Sequence, residues 1–251
     1  MVTGRAIGID IGGTGIKGAV VDVGTGSLVS DRIKVPTPSG AEPEDVIEAT
    51  RALLDRVADA AGDDTLPVGV CFPAVVQHGR TMSAANISKR WIGLAAQDLF
   101  AEALSRDIFF VNDADAAGYA EVRFGAAADE EGLVILTTLG TGIGSALIHR
   151  GILIPNSELG HLELDGQDAE SRAAYSAKER EDLDWAEWAE RLQRYYGHLE
   201  FIFSPDLFVV GGGVSKHWEE FFPLLDLRTR IVPATHRNNA GILGAAALAR
   251  S

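Results

Sequence analysis

Apolar and polar positions along this chain follow two alternating periods. Residues 5–11 (Arg-Ala-Ile-Gly-Ile-Asp-Ile) form a short apolar run that predicts a strand, followed by Gly12-Gly13-Thr14-Gly15 and a second such run through Val23. Gly24-Thr25-Gly26 marks a turn, and Leu28 to Val35 predicts a third strand ended by Pro36 and Pro38. From Pro43 to Ala61 the period changes. Val46, Ile47, Leu53, Leu54 and Val57 recur at helical spacing, with acidic residues at the start and Gly62 at the end. A strand over Val68 to Val76, interrupted by Pro73, leads to a helix over Ala95–Leu104, a strand over Ile108–Val111 and a helix from Ala114.

After residues 125–132 the pattern restarts. Leu133–Leu139 predicts a strand, Gly140-Thr141-Gly142-Ile143-Gly144 a turn, and Ser145–His149 a second strand. Residues 155–183 are polar and carry no clear period. Trp185 to Phe203 predicts a long helix, broken by Ser204-Pro205-Asp206. A strand over Leu207–Val210, a Gly211-Gly212-Gly213 turn, a helix from Ser215 and a small-residue helix over Ala240–Ala249 complete the chain.

The two halves share more than this order. Gly13-Thr14-Gly15-Ile16 recurs as Gly140-Thr141-Gly142-Ile143, and Ala19 and Ala146 keep the same offset. So short a match could be two coincident hairpins. The strand-turn-strand setting on both sides, and an offset near half the chain, favour two related α/β lobes, each with a glycine hairpin facing a shared ligand.

The 251 residues suffice for one large domain or two smaller ones, with 46% hydrophobic and 23% charged residues. Cys71 is the single cysteine, which excludes an intrachain disulfide and any multi-thiolate metal site and fits a reducing, cytoplasmic setting. No apolar run approaches the roughly 18 residues of a membrane span, and the start has no leader-like pattern, so no membrane association is expected. A net charge of −14, shared by both halves, argues against nucleic acid as a partner but permits a local basic groove for a smaller polyanion.

Gly13-x-Gly15-x-x-Gly18 has the letters of a dinucleotide fingerprint, but a strand follows where that fingerprint needs a helix. No Gly-x-x-x-x-Gly-Lys-Ser/Thr is present either. A glycine hairpin can still cradle phosphate, because bare backbone N–H groups can converge on an anion. Thr14 and Thr141 add hydroxyls, and Lys17 is either a phosphate cation or an exposed strand lysine. Asp10 stands out in an apolar strand, where a carboxylate is costly. It could hold Mg²⁺ through water, order the turn, or accept hydrogen bonds from its own turn.

Asp10-Ile-Gly-Gly-Thr-Gly-Ile-Lys17, Asn112-Asp113, Leu139-Gly-Thr-Gly-Ile-Gly144, Glu158-Leu-Gly-His161 and Gly211-Gly-Gly213 stand in an order that resembles the ROK sugar kinases over nearly the whole chain. Asn86-Ile-Ser-Lys-Arg-Trp-Ile-Gly93 and the short length resemble the bacterial polyphosphate/ATP-glucokinases within that family, some of which also accept mannose. The resemblance implies an actin-like ATPase fold: two duplicated, ribonuclease-H-like lobes with a cleft between them. On this basis the N-terminal lobe is expected over 1–112 and the C-terminal lobe over 113–251, the last helix packing back on the first lobe. The implied partners are glucose, ATP and inorganic polyphosphate with Mg²⁺. A homodimer is compatible with the family, and the sequence does not fix the oligomeric state.

Asp113 lies where an apolar strand meets a helix, and by position alone it is equally a helix cap or a catalytic base. The resemblance assigns it as the base that accepts the hydroxyl proton during phosphoryl transfer. By the same resemblance Asn112, Glu158 and His161 hold sugar hydroxyls and Asn86 is a further sugar contact. Gly12, Gly13, Thr14, Gly15, Lys17, Gly140, Thr141 and Gly142 hold phosphates, and Gly211, Gly212 and Gly213 let adenosine lie on bare backbone. The chain departs from the family in one respect. ROK kinases commonly carry a cysteine-rich zinc segment after Glu-x-x-His, and this chain has no cysteine there, so no zinc is expected. The sugar-binding glutamate that normally follows those cysteines is therefore ambiguous; Glu170 is the leading candidate, with Glu163 and Glu179 as competitors. Lys89, Arg90, Arg172, Lys178, Arg180 and Lys216 are candidate polyphosphate cations. A kinase for another hexose (mannose or fructose) and a non-catalytic sugar-binding regulator are the competing functions. The regulators carry a helix-turn-helix, for which the few residues before the first strand leave no room.

Overall fold

The apolar run at residues 5–11 is strand β1 (Arg5–Ile11), buried along most of its length because helices cover both faces of its sheet. The computed structural model describes residues 4–251 except Asn86, so the sugar contact expected there lies outside the described residues. The chain divides into two compact units, Met1–Ala120 with Asn239–Ser251, and Glu121–Asn238.

In the first unit β1 pairs antiparallel with β2 (Gly15–Asp22), which also carries β3 (Ser27–Leu28) and β4 (Ile33–Pro36). The continuous strand expected over Leu28–Val35 is thus split in two. At the break the Ser30 hydroxyl accepts the Val20 N–H at 2.9 Å, a side chain standing in for the ladder. Helix α1 (Pro43–Ala61) starts on a proline and ends on Gly62 with φ 62°, a left-handed position suited to glycine. Strand β5 (Val68–Phe72) runs parallel to β1, stopping just before Pro73, and Val76 belongs to a separate ribbon of β6 (Val76–Gln77) and β7 (Arg80–Thr81). After α2 (Ala96–Leu104), β8 (Ile108–Asn112) adds parallel to β5 and leads into α3 (Asp113–Phe124). Phe72, Trp91, Phe100 and Phe110 pack ring against ring in the core, and the Trp91 indole N–H donates to the Ala41 carbonyl at 2.9 Å.

The C-terminal helix α8 (Ala240–Leu248) belongs to this unit and packs on β1 and β5. Only glycine permits that approach. A Cβ at Gly8 would lie 1.9 Å from the Ile242 carbonyl oxygen, one at Gly69 1.9 Å from that of Ala245, and one at Gly244 1.7 Å from that of Ala116. The Ala116 contact also explains why the units divide at 120/121 and not at the expected 112/113. The start of α3 is packed under the C-terminal helix and cannot be separated from β8.

The second unit repeats the scheme. Strands β9 (Leu133–Leu139), β10 (Ile143–His149) and β11 (Ile152–Ile154) form an antiparallel meander. The segment without clear period contains a hairpin of β12 (Glu163–Leu164) and β13 (Gln167–Asp168) and two short helices, α4 (Glu170–Ala173) and α5 (Tyr175–Arg180). Helix α6 (Trp185–Phe203) opens with a capping box: Asp184 accepts the Glu187 N–H while Glu187 accepts that of Asp184. Strand β14 (Leu207–Gly211) runs parallel to β9 and β15 (Arg230–Pro233) parallel to β14, with α7 (Trp218–Phe221) between them. The helix expected from Ser215 begins instead as a 3-10 turn over Gly213–His217, and Pro223 follows soon after α7. The strand orders β3-β2-β1-β5-β8 and β11-β10-β9-β14-β15 are the same order written twice. That equivalence is the tertiary counterpart of the Gly-Thr-Gly repeat.

Candidate active site

In the first unit the chemically distinctive residues gather at the carboxyl ends of three adjacent parallel strands. Asp10 on β1 is in register with Cys71 on β5, and Phe72 is in register with Asn112 on β8. Ligands of α/β sheets collect at that edge. Asp10 and Lys17 face each other directly across the β1–β2 ladder, and Lys17 Nζ donates to Asp10 Oδ2 at 3.0 Å. The Cys71 thiol donates to Asp10 Oδ1 at 3.6 Å. Burial, then the charges of Asp10 and Asp113, push that thiol well above its ordinary pKa, which keeps it protonated and a donor. Between the strands the turn closes through Gly12 N–H to Gly15 O at 3.0 Å, and Thr37 Oγ1 donates to Gly12 O at 2.5 Å. The first turn of α8 comes equally close: a Cβ at Gly241 would lie 3.0 Å from both Asp10 Cγ and Cys71 Sγ.

Asn112 is the N-cap of α3. Its Oδ1 accepts from Ala114 N–H at 2.8 Å and Asp115 N–H at 3.0 Å, and its Nδ2 donates to the Ala74 carbonyl at 3.0 Å. Most of the amide expected to hold sugar hydroxyls is therefore engaged in positioning the helix. Asp113, the next residue, is half-buried in the first helical turn, and its Oδ1 accepts from Ala114 N–H at 2.9 Å. The capping alternative for Asp113 is met by its neighbour.

The second glycine turn is braced from several sides. Gly140 N–H donates to Gly142 O at 3.0 Å, Ser176 N–H to Gly140 O at 3.0 Å, and Ser176 Oγ to Thr141 O at 2.6 Å. Glu170 Oε2 accepts the Ile143 N–H at 2.9 Å, and a Cβ at Gly142 would lie 2.3 Å from that oxygen. Glu158 precedes and His161 ends a single 3-10 turn, Leu159–His161, anchored where Ser145 Oγ accepts the Leu159 N–H at 2.9 Å. Burial raises the Glu158 carboxyl above its usual range, opposed by His161 and reinforced by Glu170. Of the three glutamates considered, Glu170 joins this group, while Glu163 and Glu179 are exposed residues of the hairpin and of α5.

Sequence reasoning missed Asp168. Its Oδ2 lies 2.8 Å from His161 Nδ1, and this hydrogen bond is the main cause that raises the His161 pKa. One ligand atom each from His161, Asp168 and Glu170 lies within 4.8 Å of the others, close enough for these side chains to approach one ion. The signal was present in Asp165-Gly166, a two-residue hairpin turn with φ 55° and 78°. That turn folds β13 back on β12 and returns Asp168 towards His161.

At the end of β14, Gly212 adopts φ 84°, and a Cβ there would lie 2.3 Å from Leu139 O; Gly140 and Gly213 have open space on that side. Five of the six candidate polyphosphate cations are engaged within the protein. Lys89 donates to Ala84 O, Arg90 pairs with Glu42 and Glu44, Arg172 donates to Gln167, Lys178 to Leu183 O and Arg180 to Ser171 O. Lys216 is exposed. Among the described residues no helix is long and apolar enough to cross a membrane.

The ROK family model matches residues 6–175. A polyphosphate glucokinase of Mycobacterium tuberculosis is 48% identical over 243 residues, covering 96% of this chain and 90% of the relative. The crystal structure of an inorganic polyphosphate/ATP-glucomannokinase from an Arthrobacter strain superposes with a TM-score of 0.92 at 52% identity, covering 98% of each chain. A Streptomyces griseus ROK glucokinase, solved with glucose and AMPPNP, superposes with a TM-score of 0.83 at 25% identity, covering 98% of this chain and 99% of that one. The duplicated sheet order is thus that of the actin-like ATPase fold.

Proposed function

The chain belongs to the ROK family, and we propose that within it the protein phosphorylates the 6-hydroxyl of glucose, with inorganic polyphosphate or ATP as donor. The observation that carries the mechanism is the division of labour at β8 and α3. Asn112 caps the helix, and Asp113, the first residue of α3 just past the carboxyl end of a parallel strand, acts as base. Asp113 accepts the proton of the 6-hydroxyl as its oxygen forms a bond to the terminal phosphorus of the donor. The phosphoanhydride bond breaks, releasing ADP or a polyphosphate shorter by one unit. General-base assistance of this kind contributes about 10²–10⁴-fold.

Most of the remaining work is positioning and charge stabilisation. Gly12 to Gly15 and Gly140 to Gly142, with Thr14, Thr141 and Lys17, hold donor phosphates, and Gly211 to Gly213 receive the adenosine of ATP. Both Asp10 oxygens already accept hydrogen bonds, from Lys17 and Cys71, which suits contact with Mg²⁺ through water. Bound to the donor, that ion would neutralise charge on the transferring phosphoryl group. Glu158, His161 and the second oxygen of Glu170 bind sugar hydroxyls. Similarity to a glucomannokinase favours mannose as a second acceptor.

The test is direct. Purified protein with Mg²⁺ and glucose should form glucose 6-phosphate with ATP and with polyphosphate of defined length. No product with either donor would overturn the assignment, and a panel of mannose, fructose and amino sugars defines the acceptor range.

A further inference from the structure

We propose that Asp168 is a positioning residue for hexose binding: it accepts the Nδ1–H of His161 and so fixes the ring in the tautomer whose Nε2 accepts a hydrogen bond from a sugar hydroxyl. This rests on the assignment of His161 as a sugar ligand.

The geometry is one-sided. His161 Nδ1 lies 2.8 Å from Asp168 Oδ2, while Nε2 lies 4.0 Å from Glu158 Oε2. An ionised carboxylate only accepts, so its partner nitrogen must carry the hydrogen. In the neutral ring the other nitrogen is then an acceptor. Without Asp168 the ring could take the opposite tautomer, whose Nε2–H would point at Glu158. The ring and the glutamate would then satisfy each other, and neither would be available to adjacent hexose hydroxyls.

Asp168 is also built to stay in place. Its Oδ1 accepts the Glu170 N–H at 3.1 Å, and its carbonyl accepts from Ser171 Oγ at 2.6 Å, so the residue that orients His161 is tied to the first turn of α4. Across the hairpin Asp168 pairs with Glu163, and the turn residue Asp165 is held to α6 by Arg194 Nε and Nη2 at 3.0 and 2.8 Å. The ring orientation is thereby referred to a 19-residue helix and not to a loop alone.

Asp168→Ala should raise the glucose KM about 10-fold, the worth of a mispositioned hydrogen bond, while kcat at saturating glucose stays within about 3-fold. Asp168→Asn keeps a carbonyl oxygen for Nδ1–H and should return KM to within about 3-fold of wild type. The ¹⁵N ring shifts of His161 at alkaline pH should report Nδ1–H in the wild type and in Asp168→Asn, and the Nε2–H tautomer in Asp168→Ala. An Asp168→Ala enzyme with unchanged glucose KM overturns the proposal, as does a collapse of kcat at unchanged KM. His161→Ala separates the two levels. If it leaves glucose KM unchanged, the assignment of His161 as a sugar ligand fails. If it raises KM and Asp168→Ala does not, that assignment stands and the proposed role of Asp168 alone is wrong.

Discussion

Asn112 Oδ1 accepts the Asp115 N–H at 3.0 Å, so the asparagine at the end of β8 closes the first turn of α3 and its aspartate neighbour does not have to. Asp113→Asn should therefore fold normally, keep glucose KM within a few-fold and lose at least about 10²-fold in kcat. Asn112→Ala should behave oppositely at the level of stability. It loses the cap and the donor to Ala74 O, and should cost about 1–2 kcal/mol in a urea unfolding titration. Severe loss of glucose affinity with turnover intact in Asp113→Asn would reverse the assignment of base and ligand.

A methyl group at Gly244 has nowhere to go. With its Cβ 1.7 Å from the Ala116 carbonyl, Gly244→Ala must push the C-terminal helix off α3, and should cost about 3 kcal/mol or more against an exposed control such as Gly62→Ala. The control carries a left-handed φ that Gly244 does not, so its cost measures backbone strain without overpacking. Equal losses in the two variants would mean that the close packing yields easily.

Glu170 serves the second glycine turn through one oxygen. Glu170→Gln keeps a carbonyl for the Ile143 N–H and should leave the KM for ATP near wild type, whereas Glu170→Ala should raise it about 5–10-fold. Gly142→Ala, which drives a methyl into the same carboxylate, should match the alanine variant. A donor KM indifferent to all three changes would separate Glu170 from phosphate binding.

The His161–Asp168 pair predicts a pH dependence of stability with a definite sign. The hydrogen bond to Asp168 raises the folded-state pKa of His161 above 6.5, so the pair's contribution is fully present below that value and fades as pH rises through the folded one. Asp168→Asn should lower Tm more at about pH 6 than at about pH 9. Both side chains are more than a third exposed, so solvent screening keeps the difference small. Equal Tm losses at the two pH values would contradict the pairing.

Much of the site was legible because it depends on local chain chemistry. Asp10 was conspicuous as a carboxylate in an apolar strand; its pairing with Lys17, which the sequence left as a phosphate cation or an exposed lysine, emerged only from the register across the turn. Asp168 was not, since the residues around it show no period and its role exists only through a return of the chain seven residues after His161. The candidate cations illustrate the reverse. Sequence marks charge but not partners, and Arg90 is held by two glutamates 46 and 48 residues away.

By itself the sequence determined most of the element order, the repeated Gly-Thr-Gly hairpins and the family, since these depend on hydrophobic period, turn chemistry and ordered motifs. Only the tertiary structure decided that Asn112 is the cap, that the first unit runs on to Ala120 and that Asp168 orients His161. Each of these depends on which distant or adjacent group wins a hydrogen bond or a close contact, and that competition is settled by packing geometry.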